Sequence, residues 1–176
     1  MKIYEAYELA IRTGMAKDPR PADEVQRVLD DARETYDALP EDRKELYDPE
    51  RLWNPYTDSR FSVMADEARE MDAECMMWGI DIGPAEILLA DRLREKGRNI
   101  SAVVAHHPIG TARTKFPEVM WMQTDMYHEA GVPINVTEGL MKTRMDDVLR
   151  GVMGSNYNQG ADAARLLGIP LMNIHS

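Results

Sequence analysis

The sequence predicts an α/β fold, with a mainly parallel or mixed sheet flanked by helices and a helical pair ahead of it at the N-terminus. Three observations carry that prediction. Beyond residue 64, short apolar runs alternate with amphipathic helical stretches, the order that builds a largely parallel sheet. One of those runs, Ser101-Ala102-Val103-Val104-Ala105, reads as a buried strand. The first 40 residues, by contrast, repeat their apolar positions at helical spacing.

In chain order, Ile3, Tyr7, Ala10 and Ile11 share a helix face that Gly14 ends, and Asp18-Pro19-Arg20-Pro21 breaks the backbone. A second helix is expected over 22–39, with Val25, Val28, Leu29, Ala32 and Tyr36 inward and Glu24, Arg27, Asp31 and Glu34 solvated. Periodicity fades over 41–64, where Asp48-Pro49 and Asn54-Pro55 signal an ordered loop. Loops of that length are often functional, and Trp53 and Tyr56 either pin it to the core or serve a site. Strand 76–82 follows, then a helix opened by Pro84 and closed at Lys96-Gly97, then the 101–105 strand. A helix over 117–130, a short strand over 132–136, a helix toward Leu149, a last helix over 160–167 and a terminal strand complete the reading. The expected organisation is one α/β domain over 1–176, with a helical segment 1–40, a loop 41–64 and a core 65–176.

The composition bounds the function. With 44% hydrophobic and 30% charged residues, a packed core is expected rather than disorder. A formal charge of −10 disfavours nucleic-acid and membrane-surface partners, both of which attract basic patches, and makes a cation a natural partner. The single cysteine, Cys75, lies in an apolar run and is expected to be a buried, inert thiol. No signal-peptide pattern opens the sequence and no run approaches the roughly 20 apolar residues of a membrane span, so a cytoplasmic protein is expected.

The chemistry-bearing feature is His106-His107-Pro108, placed where the apolar strand ends. Imidazole is the commonest metal ligand among side chains, and α/β sites gather at strand ends. Adjacent strand residues point to opposite faces, so a shared ligand direction requires a turn, for which Pro108 and Gly110 provide. The alternative is one core histidine and one exposed histidine. His175, at the end of the terminal strand, is a candidate neighbour or a residue of a frayed terminus. Asp81 either reaches the same sheet edge or caps the helix at Pro84. Glu138 is either a first-turn helix acid or a ligand, and His128 reads as a helix-end surface residue. No catalytic residue is identifiable, and phosphate-loop, dinucleotide, C-x-x-C, H-E-x-x-H and G-x-S-x-G patterns are absent from the sequence.

Several stretches, in order along the chain, resemble one family: Asn54-Pro55-Tyr56-Thr57-Asp58-Ser59-Arg60; Gly79-Ile80-Asp81-Ile82 with Glu86-Ile87-Leu88-Leu89-Ala90-Asp91-Arg92-Leu93; Ala105-His106-His107-Pro108; Gly131-Val132-Pro133-Ile134-Asn135; and 162–170 with His175-Ser176. They are similar to the archaeal-type branch of the Nif-three-like dinuclear-metal family, whose members often carry the name GTP cyclohydrolase I type 2 homologue. The resemblance implies divalent ions (iron, zinc or manganese), up to two per site, in a homo-oligomer, a dimer or ring-like hexamer. It makes His106 and His107 metal ligands and His175 the opening residue of a His-Ser/Thr-x-x-Asp motif. The sequence stops short of that aspartate and lacks the family's late His-x-x-x-Glu pair, which implies the first half of a longer protein. Two functions are then expected to compete: a metal-dependent hydrolase of a small nucleotide or pterin-like substrate, and a non-catalytic metal-delivery, regulatory or assembly protein.

Overall fold

The computed structural model describes residues 1–175; Ser176, the last residue of the stretches just quoted, lies outside them. Four strands form one mixed sheet in the order β1-β4-β3-β2: β1 Arg60–Val63, β2 Cys75–Gly79, β3 Ile100–Ala105 and β4 Leu171–Asn173. β2, β3 and β4 are mutually parallel, and β1 runs antiparallel to β4. The predicted α/β class with a mixed sheet and an N-terminal helical pair is what the chain adopts.

β3 explains why the sheet is central. Every one of its residues is buried, because both faces are covered. Val103 and Ala105 point into a cluster with Ile87 and Ala90 of α4 (Pro84–Glu95) and Ala161 and Ala164 of α8 (Gln159–Leu166). Ala102 and Val104 point the other way, toward Ile3, Tyr4, Tyr7 and Ile11 of α1 (Ile3–Lys17). This is the two-residue alternation of a strand, made invisible in the sequence by a core on each side.

The first helical pair is α1 and α2 (Ala22–Asp37), followed by a short α3 (Glu41–Lys44) and a 3-10 turn, Pro49–Leu52. Trp53, read as either a core pin or a site residue, is a core pin: its ring lies 5.7 Å from Tyr7 and 6.4 Å from Tyr4, and Phe61 stacks on Tyr4 at 5.4 Å. α4 opens at Pro84 as expected, and Glu86 accepts the Gly83 N–H at 2.8 Å. That leaves the helix start satisfied without Asp81. α8 approaches this turn closely: a Cβ on Gly160 would lie 3.1 Å from the Ile82 carbonyl oxygen.

Five sequence-based expectations change. The first helix is not ended by Gly14 but runs through it to Lys17, just before the Asp18-Pro19 break. Part of the supposed loop 41–64 is strand β1, whose brevity hid it. The expected helix 117–130 is two helices, α5 (Thr111–Val119) and α6 (Met122–Glu129), with Pro117 inside the first. The expected strand at 132–136 does not form: Gly131 at φ +91° ends α6 and α7 (Ile134–Met153) begins directly after Pro133. The β-branched Val132, Ile134 and Val136 suggested a strand, but the flanking glycine and proline set a turn and a helix start. Cys75 is exposed, not buried, because β2 is an edge strand and Cys75 is its first residue. Among the described residues no helix is long and apolar enough to cross a membrane.

Candidate metal centre

The sheet topology gathers the site. Three parallel strands run out at one edge, β2 toward Asp81, β3 into His106 and His107, and β4 toward His175. β1, being antiparallel, starts at that same edge: Arg60 pairs with Asn173, so Asp58 lies beside His175. The adjacent histidines keep backbone contact with the end of β2 (His106 N–H to Gly79 at 2.8 Å, His107 N–H to Ile80 at 2.9 Å) while the chain bends. Buried Pro108 follows, and then Gly110 at φ +57° and ψ −138°. That bend removes the opposite-face problem of a regular strand.

The result is a triangle of imidazoles. Ring centroids are 5.3 Å apart for His106 and His107, 4.8 Å for His106 and His175, and 6.0 Å for His107 and His175. One ring nitrogen of each lies within 4.8 Å of the other two. Nitrogens sharing a tetrahedral ion sit roughly 3.4 Å apart, from metal–nitrogen bonds of about 2.05 Å. The rings therefore need to draw in by about an ångström, which the exposed His106 and His107 have room to do.

Each ring is also held by an oxygen. Nδ1 of His106 lies 3.3 Å from the Ile174 carbonyl, that of His107 2.8 Å from Asp81 and that of His175 2.7 Å from Asp58. Carbonyls and carboxylates only accept, so all three Nδ1 atoms carry the proton and every neutral ring keeps its lone pair on Nε2. An oxygen behind each imidazole, fixing tautomer and orientation, is the arrangement of metal-binding histidines. The two carboxylates differ in environment: the Asp58 side chain is 4% exposed, that of Asp81 82%. The Asp58 hydrogen bond, outweighing burial, raises the pKa of His175 above its usual value. The three ring nitrogens could therefore hold a metal ion together and leave coordination positions free.

Two cavities abut His175, on either side of Phe116, whose ring meets the imidazole edge-on at 5.8 Å. The larger, about 720 Å³, runs between α1 and the α5–α6 connection. The smaller, about 290 Å³, reaches Asp81, His107 and Arg113.

The structure thus brings His106, His107 and His175 together and sets Asp81 behind His107 rather than at the helix cap. Glu138 is exposed on the first turns of α7, ten residues before Val148, which lines the smaller cavity. At about 1.5 Å per residue that is roughly 15 Å along the axis. His128 is exposed at the end of α6, as expected. Asp58 was missed as a candidate. Its signal was the strand-like Arg60-Phe61-Ser62-Val63 just beyond it, short enough to pass for loop.

No family model and no curated protein matches the chain. Among solved structures it is similar to a NIF3 superfamily protein from Sphaerobacter thermophilus, at 30% identity and a TM-score of 0.57. The match covers 85% of this chain and 46% of that one, so the chain spans about half the length of its structural relative. The fold of residues 1–175 is accordingly NIF3-like, with its histidine triangle at the shared edge of the sheet.

Proposed function

We propose that this chain is the metal-binding part of a Nif-three-like protein, holding a divalent transition ion on His106, His107 and His175. The observation that carries the reading is that Nδ1 of each of the three rings lies against an oxygen, which leaves Nε2 of a neutral ring as the donor atom. Nitrogen donors favour zinc or iron over manganese, which prefers oxygen ligands. An ion there would supply Lewis acidity, the means by which such ions activate water and polarise carbonyl or phosphoryl groups. The chain's own contribution is to hold three lone pairs in register, to keep Asp58 dry behind one of them, and to offer a substrate the cavities flanking His175. The reaction class this supports is hydrolysis of a small molecule.

The test is metal analysis of the purified chain beside a His106→Ala/His107→Ala double variant. About one equivalent of zinc or iron, lost in the variant, is the expected result; unchanged metal content refutes the assignment. Metal delivery is the second reading. It is favoured by the engagement of the two carboxylates at the site, Asp58 and Asp81, each of which is taken up by an imidazole Nδ1–H. Metal-loaded protein that releases its ion to a chelator within seconds and turns over no ester, amide or phosphate would favour delivery. Self-association is also proposed, supported by Trp78 and Ile80, which are 58% and 63% exposed at the open β2 edge. A monomeric mass by light scattering would reject it.

A further inference from the structure

We infer that the 720 Å³ cavity beside His175 takes the apolar body of a singly charged, oxygen-headed molecule, such as an aryl or alkyl carboxylate, with its head toward the histidines. This rests on the metal-binding reading for the head alone. The volume falls within the roughly 300–1,000 Å³ of small-molecule clefts. Its walls are Phe116, Val119, Met120, Met122 and Ile174, all part-buried, and methionine walls adapt readily to the shape of an apolar body.

The charges on the cavity wall are nearly all engaged. Asp18 receives both Nε and Nη2 of Arg20 at 2.9 Å and the Tyr56 hydroxyl at 2.8 Å; its side chain is 1% exposed. Asp58 is taken by His175 at 2.7 Å. Lys17, exposed at the rim, is the one lysine or arginine among the residues lining the cavity. The last turn of α1, through Thr13, Gly14 and Lys17, forms one end of the cavity, and a helix C-terminus carries partial negative charge. Phosphate chains are held by arginine clusters, backbone N–H cradles or helix N-termini. This cavity offers one lysine and the wrong end of a helix. A nucleoside triphosphate, with about four negative charges, therefore fits poorly. A monoanion brings a single charge, and with its head toward His175 the nearest carboxylate, Asp58, is already taken up by the His175 Nδ1–H at 2.7 Å.

The experiment uses the full chain, 2-naphthylacetate as a fluorescent probe, and GTP as competitor, with the protein metal-free or loaded with cobalt. Binding is read by fluorescence anisotropy, and the cobalt absorption spectrum reports the histidine site and the folding of each variant. The cobalt-loaded chain is expected to bind naphthylacetate at least about tenfold more tightly than GTP. Met120→Glu and, independently, Met122→Glu should each weaken the probe by about tenfold, while the probe-free cobalt spectrum persists. Equal or tighter GTP binding overturns the inference, as does wild-type probe affinity in both glutamate variants. Should cobalt fail to bind at all, the metal reading falls separately. In that case probe binding to the metal-free chain, lost in the variants, still supports the cavity, and no binding refutes it.

Discussion

Asp58→Asn isolates the contribution of the buried carboxylate to the histidine triangle. Asparagine keeps the shape and an acceptor oxygen for His175 Nδ1, so what is removed is the charge behind the imidazole. Loss of such a partner costs about 10- to 100-fold in metal affinity, or about 1.4–2.7 kcal/mol. Asp81 supplies an internal control, because its hydrogen bond to His107, at 2.8 Å, is nearly the same length as the 2.7 Å bond from His175 to Asp58. The environments differ. At 4% exposure Asp58 acts through an effective dielectric of about 20, whereas Asp81, at 82%, acts through nearly that of water, about 80. The same charge then has about a quarter of the effect, so Asp81→Asn should cost less than about threefold. Competition against a chromophoric zinc chelator at fixed pH measures both. An Asp81→Asn loss equal to or larger than that of Asp58→Asn would refute the claim that burial makes Asp58 the dominant partner.

Two further perturbations test the frame around the site. Gly110 has φ +57° and ψ −138°, while a Cβ placed there meets nothing nearer than 3.5 Å, so Gly110→Ala is resisted by the backbone and not by space. It should lower stability by about 1–3 kcal/mol, read as a reduced urea midpoint with an unchanged slope; a wild-type midpoint would mean the turn relaxes without cost. Glu50 titrates above its ordinary 4.5 because it is buried, even though Tyr7 donates to it at 2.5 Å and the Phe61 N–H at 3.2 Å. The folded state therefore holds that proton more tightly than the unfolded state. This contribution is full below about 4.5 and disappears as pH rises through the elevated folded value. Relative to Glu50→Gln, the wild type should lose stability as pH rises above the ordinary value of 4.5; parallel urea-midpoint curves would refute the assignment.

The sequence and the structure agree where one signal dominates. α4 was legible because Pro84 and the Ile87–Ala90 spacing act locally, and β3 because a strand buried on both faces has to be apolar throughout. The ends of parallel strands predict where ligands gather, so His106, His107 and Asp81 could be placed at one edge before any coordinates. What stayed hidden depends on pairing at a distance. β1 is only four residues long, and its strand identity comes from its antiparallel partner β4, more than a hundred residues later. Without that pairing nothing in the sequence brings Asp58 next to His175. The misread stretch at 132–136 failed in the opposite way: β-branched residues gave a local strand signal that no sheet edge was there to accept.

That dependence gives the N-terminal segment a role in the site. The Ser59 carbonyl accepts from Asn54 at 2.8 Å and Arg60 at 2.7 Å, and Asn54 also donates to the Tyr7 hydroxyl at 3.0 Å. The Ser59 hydroxyl in turn receives the His175 backbone N–H at 2.8 Å, and Asn173 binds the Asp58 carbonyl. Tyr7 stands on α1, fixed among Tyr4, Trp53 and Phe61. A continuous set of contacts therefore runs from the first helix through residues 54–60 to the ring of His175. α1 also supplies one end of the 720 Å³ cavity. α1 is for this reason part of the candidate site and not an appendage: it braces the segment that carries the buried carboxylate behind one imidazole and, in the same stroke, walls the adjoining cavity.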